Sequence, residues 1–188
     1  LISMIAIGLS RPAVTFKIKG MEAQGFLGLK IGLLTTAFFI FRALGATLSA
    51  NVKNKRFVAT VGFFGFSFCL FVYNLSGEYL PIILTKPLEG FLAGLTWPLV
   101  QLLVGVFTAE KWRITSMTIY FMVGRICIQS VNIFYGLINS IFISLFIASL
   151  LMFISAFPIF KIYSGSLDTK EKSELITKRA IIQPSPIY

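Results

Sequence analysis

The sequence predicts an all-α membrane protein, a bundle of six transmembrane helices built from two three-helix repeats. Of the 188 residues, 56% are hydrophobic and 13% are charged, whereas soluble domains carry about 25% charged residues. Six apolar stretches are each about long enough to cross the hydrocarbon core of a bilayer as a helix. Ionisable residues occur inside these stretches, but they avoid the third stretch of each triplet.

The six predicted helices span residues 1–18, 25–50, 57–75, 79–108, 113–138 and 139–160, so the transmembrane unit covers residues 1–160. Leu1 already lies inside an apolar run, which indicates that the first helix lacks its start. Because the later stretches are full-length and repeated, a cleavable signal peptide is not expected. The polar residues 161–188 predict a linker or tail.

The third and sixth helices contain no charge and are apolar on nearly all sides. The other four helices hold the intramembrane ionisable residues, which are Arg11, Lys30, Arg42, Lys86, Glu89 and Arg125. This division predicts that the third helix of each triplet faces lipid while the other two face something polar. A three-plus-three repeat of this kind is found in secondary transporters.

The fifth helix carries a polar stripe. On a helical wheel, Thr118, Arg125, Gln129 and Asn132 fall within an arc of roughly 80°. Arg125 lies near mid-membrane, where a charge facing lipid would cost at least about 2.5–3.5 kcal/mol. The stripe must therefore face protein or water. Two interpretations stay open, a buried seam that joins helices and the wall of an aqueous cavity that binds a solute.

In the fourth helix, one face carries Lys86, Trp97 and Gln101 together with small residues that allow close helix contact. Trp97 serves either as a packing residue or as part of a cavity wall. At the margin of this face lies Glu89, the only acid inside any predicted helix. It is either the partner of a structural ion pair or a proton site.

The distribution of Lys and Arg predicts the orientation. The loop bases of one side are Lys53, Lys55, Arg56, Lys111, Arg113, Lys161, Lys170, Lys172, Lys178 and Arg179. The opposite loops hold only Lys17 and Lys19. The first side is therefore predicted to be cytoplasmic, with both ends of the chain on it, in a multi-pass protein of the cell membrane.

Several functional classes are disfavoured by composition. The chain has no histidine, which removes histidine triads and histidine metal sites, and neither a Gly-x-Ser-x-Gly motif nor an acidic metal cluster is present. We therefore expect no enzyme, cofactor or metal. Cys69 and Cys127 lie in apolar runs and are interpreted as buried small hydrophobic residues. The net charge of +10 does not indicate nucleic-acid binding, because the bases gather at the ends of apolar stretches.

Four sequence features together resemble the amino-terminal half of a transporter of the major facilitator superfamily. Residues 45–49 (GATLS), followed by loop bases, resemble the glycine–aspartate–basic motif between helices 2 and 3, although Ser49 replaces the aspartate and Ala50 the arginine. Residues 86–90 (KPLEG) resemble the Arg-x-x-Gln-Gly signature of helix 4. The Trp97-Pro98 pair and the charged loop 110–113 are similar to the family pattern as well.

The resemblance implies half of a secondary active transporter, with a second six-helix half or a second copy as its partner and a central cavity walled by helices 1, 2, 4 and 5. The excess of bases in those helices favours a small polar and anionic solute, because the guanidinium fork binds such groups bidentately. These bases could instead neutralise Glu89, helix C-termini and acids elsewhere. The alternative function is a six-helix scaffold or a subunit of a membrane complex that does not itself transport.

Two sets of residues are the site candidates. The substrate-binding candidates are Arg11, Trp97, Gln101, Thr118, Arg125, Gln129 and Asn132. The gating or coupling candidates are Arg42, Gly45, Ser49, Lys86 and Glu89. For Arg125 the sequence leaves two roles open, contact with an anionic solute and pairing with Glu89.

Overall fold

A computed structural model describes residues 2–21, 26–135 and 140–165 of the chain. These residues form six α-helices and one short 3-10 helix, and no strand occurs among them. The helices are α1 (Ile2–Met21), α2 (Leu27–Ser49), α3 (Lys55–Leu75), α4 (Tyr79–Phe107), α5 (Arg113–Tyr135) and α6 (Ile141–Gly165), with the 3-10 turn at Glu110–Trp112. The predicted all-helical class is confirmed for the described residues. The predicted tail lies beyond them, apart from the last residues of α6.

Five of the helices, α2 to α6, are long and apolar enough to cross a membrane. The remaining helix, α1, carries Arg11, Lys17 and Lys19 within its 20 residues, and this charge content separates it from the others. The sequence predicted six spans, so the spanning role of α1 stays a prediction. Prolines at positions 12, 87, 98 and 158 lie inside helices that continue through them.

Contacts between α2 and α4 are the most extensive of any helix pair in the described part of the chain. Gly90 lies against the backbone of Phe38, and Gly94, one turn later, lies against the backbone of Arg42. A Cβ at either glycine would collide with these backbone atoms, so only glycine permits this approach. Because the register advances in the same direction on both helices, α2 and α4 are parallel.

A similar contact joins α1 and α5. A Cβ on Gly8 would lie 3.1 Å from the carbonyl oxygen of Ile128, and one on Gly124 would lie 3.2 Å from Cε of Met4. The register again advances in the same direction on both helices. The parallel pairs α1–α5 and α2–α4 are those expected of a bundle whose helices alternate up and down.

The third major contact, between α3 and α6, is antiparallel. Ser67 donates a hydrogen bond to the carbonyl oxygen of Ser149 at 2.8 Å, and Ser149 donates one to the carbonyl oxygen of Ser67 at 3.0 Å. Phe64 packs edge-on against Phe153, with ring centroids 5.0 Å apart. α3 also contacts α4, and α6 also contacts α1. The α3–α6 pair therefore joins the α2–α4 pair to the α1–α5 pair.

Up-and-down alternation places the α2–α3 and α4–α5 turns at one end of the bundle. We call it the base-rich end, because its described bases are Lys53, Lys55, Lys111, Arg113 and Lys161. At the opposite end, the Lys17 ammonium donates to the carbonyl oxygens of Tyr73 and Asn74 at 2.6 and 2.7 Å. These carbonyls terminate α3, where a cation also interacts favourably with the helix dipole.

Candidate functional site

A cavity of about 350 Å³ opens between α1, α2, α4 and α5. Its wall includes the guanidinium-bearing residues Arg11, Arg42 and Arg125, and we call it the arginine cavity. Phe66 of α3 also contributes to the wall, whereas no described residue of α6 lines it. The four walls are the helices whose sequences carry intramembrane charge.

A second cavity, of about 330 Å³, lies between α1, α2 and α4 on the side away from the base-rich end. We call it the lysine cavity, since Lys86 lines it. Arg11, Phe38, Phe39 and Glu89 line both cavities. These four side chains therefore form the junction between two spaces that follow one another along the bundle.

Glu89 is buried at this junction, with 5% of its surface exposed. One carboxylate oxygen, Oε2, accepts a hydrogen bond from the Tyr73 hydroxyl at 2.6 Å and one from the Lys86 ammonium at 2.7 Å. Lys86 lies one helical turn before Glu89, a spacing at which side chains of one helix meet. Its ammonium also lies over the rings of Phe38 and Tyr73, at 5.4 and 5.3 Å from their centroids. Glu89 is therefore held in a structural ion pair with Lys86.

The arginine cavity contains an excess of positive charge. Among the described residues, none of the three guanidinium groups has a hydrogen bond or a salt bridge. Arg11 is repelled by the charges of Arg42 and Arg125 and attracted by that of Glu89. Of the two roles considered for Arg125, pairing with Glu89 is not formed in this structure, because Lys86 is the partner of that carboxylate.

Trp97 and Gln101, both from α4, line the arginine cavity as well. The Trp97 ring is nearly buried and packs edge-on against Phe63, with centroids 6.0 Å apart. It thus combines the two roles considered for it, packing on α3 and forming part of the cavity wall. Gln101 is half-buried on the same face of α4.

The polar stripe of α5 reaches the arginine cavity at only one edge. Phe121, Arg125 and Ile128 line the cavity, while Thr118 and Gln129 are exposed and lie outside its wall. The Thr118 hydroxyl donates to the carbonyl oxygen of Ile114 in the same helix. Contact between Gly124 and α1 sets this rotation of α5, since it turns the Gly124 side of the helix inward. The side chain of Asn132 lies outside the described part of the chain.

Two gating candidates occupy the α2–α4 side of the bundle. Gly45 lies against the backbone of Phe91 and Leu95 in α4, so its position is one of close helix packing. Ser49 is buried, and its hydroxyl donates to the carbonyl oxygen of Ala46 in its own helix at 2.7 Å. Any gating role of these residues stays a prediction.

Sequence reasoning missed three features of the cavity. Arg42 was assigned to gating, but it shares the cavity wall with Arg11 and Arg125. Tyr120 was excluded from the polar stripe, yet it lines the cavity, and its buried hydroxyl has no hydrogen-bond partner among the described residues. The wall also includes the rings of Phe38, Phe39 and Phe66, which were not separable by pattern from those that face lipid.

Within the described ranges, no group of three His, Cys, Asp or Glu side chains comes together in a way that could hold a metal ion. Comparisons of the chain with models of protein families, with curated proteins and with solved structures found no match. The likeness to the major facilitator superfamily therefore depends on the residues of this chain alone and stays a prediction.

Proposed function

We propose that the chain is half of a secondary active transporter, similar to those of the major facilitator superfamily, that moves a small polar and anionic solute by alternating access. The observation that carries the proposal is the arginine cavity. Three guanidinium groups from three helices line one cavity without a salt-bridge partner in the described residues, while the acid at the junction is already paired with Lys86. Like charges that line one cavity repel one another, so a site of this kind is expected where a solute supplies the counter-charge.

The pattern of helix contacts supports the proposed repeat. A three-plus-three repeat relates α1 to α4, α2 to α5 and α3 to α6. Under this exchange the observed α2–α4 contact corresponds to the observed α1–α5 contact, and the α1–α6 contact corresponds to the α3–α4 contact. The α3–α6 contact maps onto itself. Internal repeats of this type are common in secondary transporters, whose binding sites lie near mid-membrane at the repeat interface. The arginine cavity lies between helices of both triplets, the position expected of such a site.

The exposed faces of α2 and α5 support a second six-helix body as partner. Only 11% of the apolar window of α2 and 6% of that of α5 is buried, compared with 56% for α3. Both helices line the arginine cavity, and they are not in substantial contact with each other. A second half of the same protein, or a second copy of the chain, would close the cavity there. The base-rich end is the end proposed to be cytoplasmic.

A scaffold or subunit function remains the alternative, because a protein partner could also cover the exposed faces of α2 and α5. The two functions differ in what they require of the cavity. A scaffold needs no access to Arg11, Arg42 or Arg125 from water, whereas a transporter needs access from both sides of the membrane in turn.

The test is counterflow in proteoliposomes that contain the product of the complete gene. Vesicles are loaded in turn with unlabelled organic anions, sugars and amines and are diluted into the same solute in labelled form. Accumulation of the label inside the vesicles is then followed without nucleotide. We expect accumulation for at least one organic anion and its loss in Arg125→Gln. If no solute gives counterflow while the protein remains folded and correctly inserted, the transport proposal is wrong and the scaffold alternative gains support.

A further inference from the structure

The charges of the arginine cavity indicate how many negative charges the solute carries. Arg11, Arg42, Arg125 and Glu89 are the charged residues on its wall, and their formal charges sum to +2. Lys86, which lies just beyond the wall, adds to the positive potential. A monoanion would leave the wall with a net positive charge, whereas an anion with two or more charges would neutralise it.

The shape of the cavity limits the size of the solute. Its volume, about 350 Å³, lies at the small end of the range of ligand pockets, about 300–1,000 Å³. The aromatic side chains of Phe38, Phe39, Trp97 and Phe121 offer apolar surface between the guanidinium groups. The hydroxyl of Tyr120, which has no partner in the part of the chain that the structure describes, is a further hydrogen-bonding group on the wall.

The position of the three arginines adds a mechanical consequence. Arg11 is on α1, Arg125 is on α5 and Arg42 is on α2, which packs on α4. α1 and α2 touch each other at few points, and α2 and α5 are not among the helix pairs in substantial contact. A ligand bound by all three guanidinium groups would therefore add a link between the α1–α5 and α2–α4 pairs, which touch each other mainly through α4 and α5.

We propose that the arginine cavity binds a small solute carrying at least two negative charges, a dicarboxylate or a phosphate monoester, through Arg11, Arg42 and Arg125 together. Each guanidinium binds a carboxylate or phosphate oxygen pair, and Arg42 is thereby a binding residue as well as a link between the helix pairs. The inference rests on the proposed transport function, because that function makes the bound anion a transported solute. Binding itself is measurable without transport.

The test measures the affinity and thermal stabilisation of the complete gene product, purified in detergent, with two matched series of probes. The first series is succinate, its half-amide succinamate and its diamide succinamide, which share one skeleton and carry two, one and no charges at neutral pH. The second is phenyl phosphate and its monoanionic methyl ester at pH 8, where the phosphate monoester is doubly ionised. We expect the dianion of at least one series to bind at least about tenfold more tightly than its monoanion, the effect of about 1.4 kcal/mol. Equal affinity within both series, or no binding in either, overturns the proposal.

The variants identify the site. Arg42→Gln and Arg125→Gln should each weaken dianion binding by at least about tenfold, while Arg42→Lys should weaken it less and preserve the preference for two charges. Lys19→Gln removes an exposed base of α1 that lies outside both cavities and should leave the affinity unchanged. If the glutamine variants do not fold, Tyr120→Phe, which removes an unpartnered hydroxyl, should fold and lower the affinity about fivefold. Unchanged dianion affinity in every folded variant overturns the assignment of the site.

Two further measurements distinguish a soluble solute from a lipid headgroup, and binding from transport. A phosphate monoester could also come from a lipid headgroup, so stabilisation is compared between phenyl phosphate and phosphatidic acid in nanodiscs. Stabilisation by phosphatidic acid but not by phenyl phosphate would contradict the binding of a soluble solute. Dianion binding without any counterflow would support this inference and contradict transport, whereas counterflow of a neutral solute that succinate and phenyl phosphate do not inhibit would support transport and contradict the inference.

Discussion

The α3–α6 pair and the four helices around the arginine cavity handle polar groups in the apolar bundle in opposite ways. On the α3–α6 side, Ser67 and Ser149 satisfy each other's hydroxyl and carbonyl groups, and aromatic rings pack around them. Around the cavity, by contrast, Glu89 is paired with Lys86, and three arginines have no salt-bridge partner in the described residues. The comparison shows that the polar groups of the α3–α6 side satisfy one another, whereas the three guanidinium groups of the cavity side have no ion-pair partner among the described residues and, under the proposed function, are available to a solute.

The largest effect is expected at the Lys86–Glu89 ion pair of the cavity side. Glu89→Ala should lower the free energy of unfolding by about 3–5 kcal/mol, because it leaves the Lys86 ammonium and the Tyr73 hydroxyl without their acceptor. SDS titration in mixed micelles, followed by circular dichroism, measures the change. The double variant Glu89→Ala/Lys86→Met should recover a large part of the loss. A wild-type unfolding midpoint for Glu89→Ala would show that the pair does not stabilise the fold.

Substitutions that disturb the close packing of α2 on α4 should lower the free energy of unfolding almost as much. Gly90→Ala and Gly94→Ala each place a methyl group against the α2 backbone, which should destabilise the protein by about 1–3 kcal/mol. Gly105→Ala is the matched control in the same helix, since nothing lies within 4 Å of its Cβ position. The control should be neutral or stabilising by about 0.5–1 kcal/mol. Equal effects at Gly90, Gly94 and Gly105 would contradict the close approach of the two helices.

On the α3–α6 side, Ser67→Ala should cost about 1 kcal/mol through the loss of the hydrogen bond to Ser149. It should leave dianion affinity unchanged, because neither serine lines the arginine cavity. Unfolding and binding are measured on the same preparation. A loss of affinity without a loss of stability would mean that the two sides of the bundle are not independent.

The smallest effect is expected for Thr118→Val. Thr118 is exposed, outside the cavity, and bonded only within its own helix turn in the described contacts. Both the free energy of unfolding, within about 0.5 kcal/mol, and the dianion affinity should match those of the wild type. A clear fall in affinity would show that the sequence-predicted stripe, and not the observed cavity wall, contacts the solute.

Much of the fold was readable from the sequence. The apolar stretches predicted the helices well: α4, predicted as 79–108, is Tyr79–Phe107, and α3, predicted as 57–75, is Lys55–Leu75. α6 extends to Gly165, five residues past its predicted end, because loss of apolar character does not by itself end a helix. Charge inside the apolar stretches predicted which helices would line a cavity, since a buried base needs water or a partner.

The site was less predictable, and the reasons are specific. The Lys86–Glu89 pair follows from a spacing of three residues within one helix and could have been predicted. The rotation of α5 could not, because contact between Gly124 and Met4 decides which edge of the polar stripe faces the cavity. Tyr120 enters the wall for the same reason, although it lies far from the polar arc on a helical wheel.

The role predicted for the third helices also needs refinement. The uncharged α3 was expected to lie at the periphery, yet 56% of its apolar window is buried, because one face packs on α6 and α4. Its opposite face is exposed and includes Phe57, Phe68 and Phe71. A helix that is apolar on all sides can therefore pack on other helices with one face and contact lipid with the opposite face. Its sequence does not show which face is which.

The central claim is that the arginine cavity is reached by water and the α3–α6 surface by lipid, and cysteine accessibility tests it most directly. In a background with Cys69→Ala and Cys127→Ala, Phe39→Cys at the junction of the cavities is compared with Phe68→Cys on the α3–α6 side. The two positions are similarly exposed, at 55% and 59%, but only a thiol in water ionises to the reactive thiolate. The measurement is the reaction rate with a membrane-impermeant thiosulfonate, applied to the complete gene product in liposomes. We predict that Phe39→Cys reacts at least about tenfold faster than Phe68→Cys and that a bound dianion slows its reaction, whereas equal rates at the two positions would contradict the account.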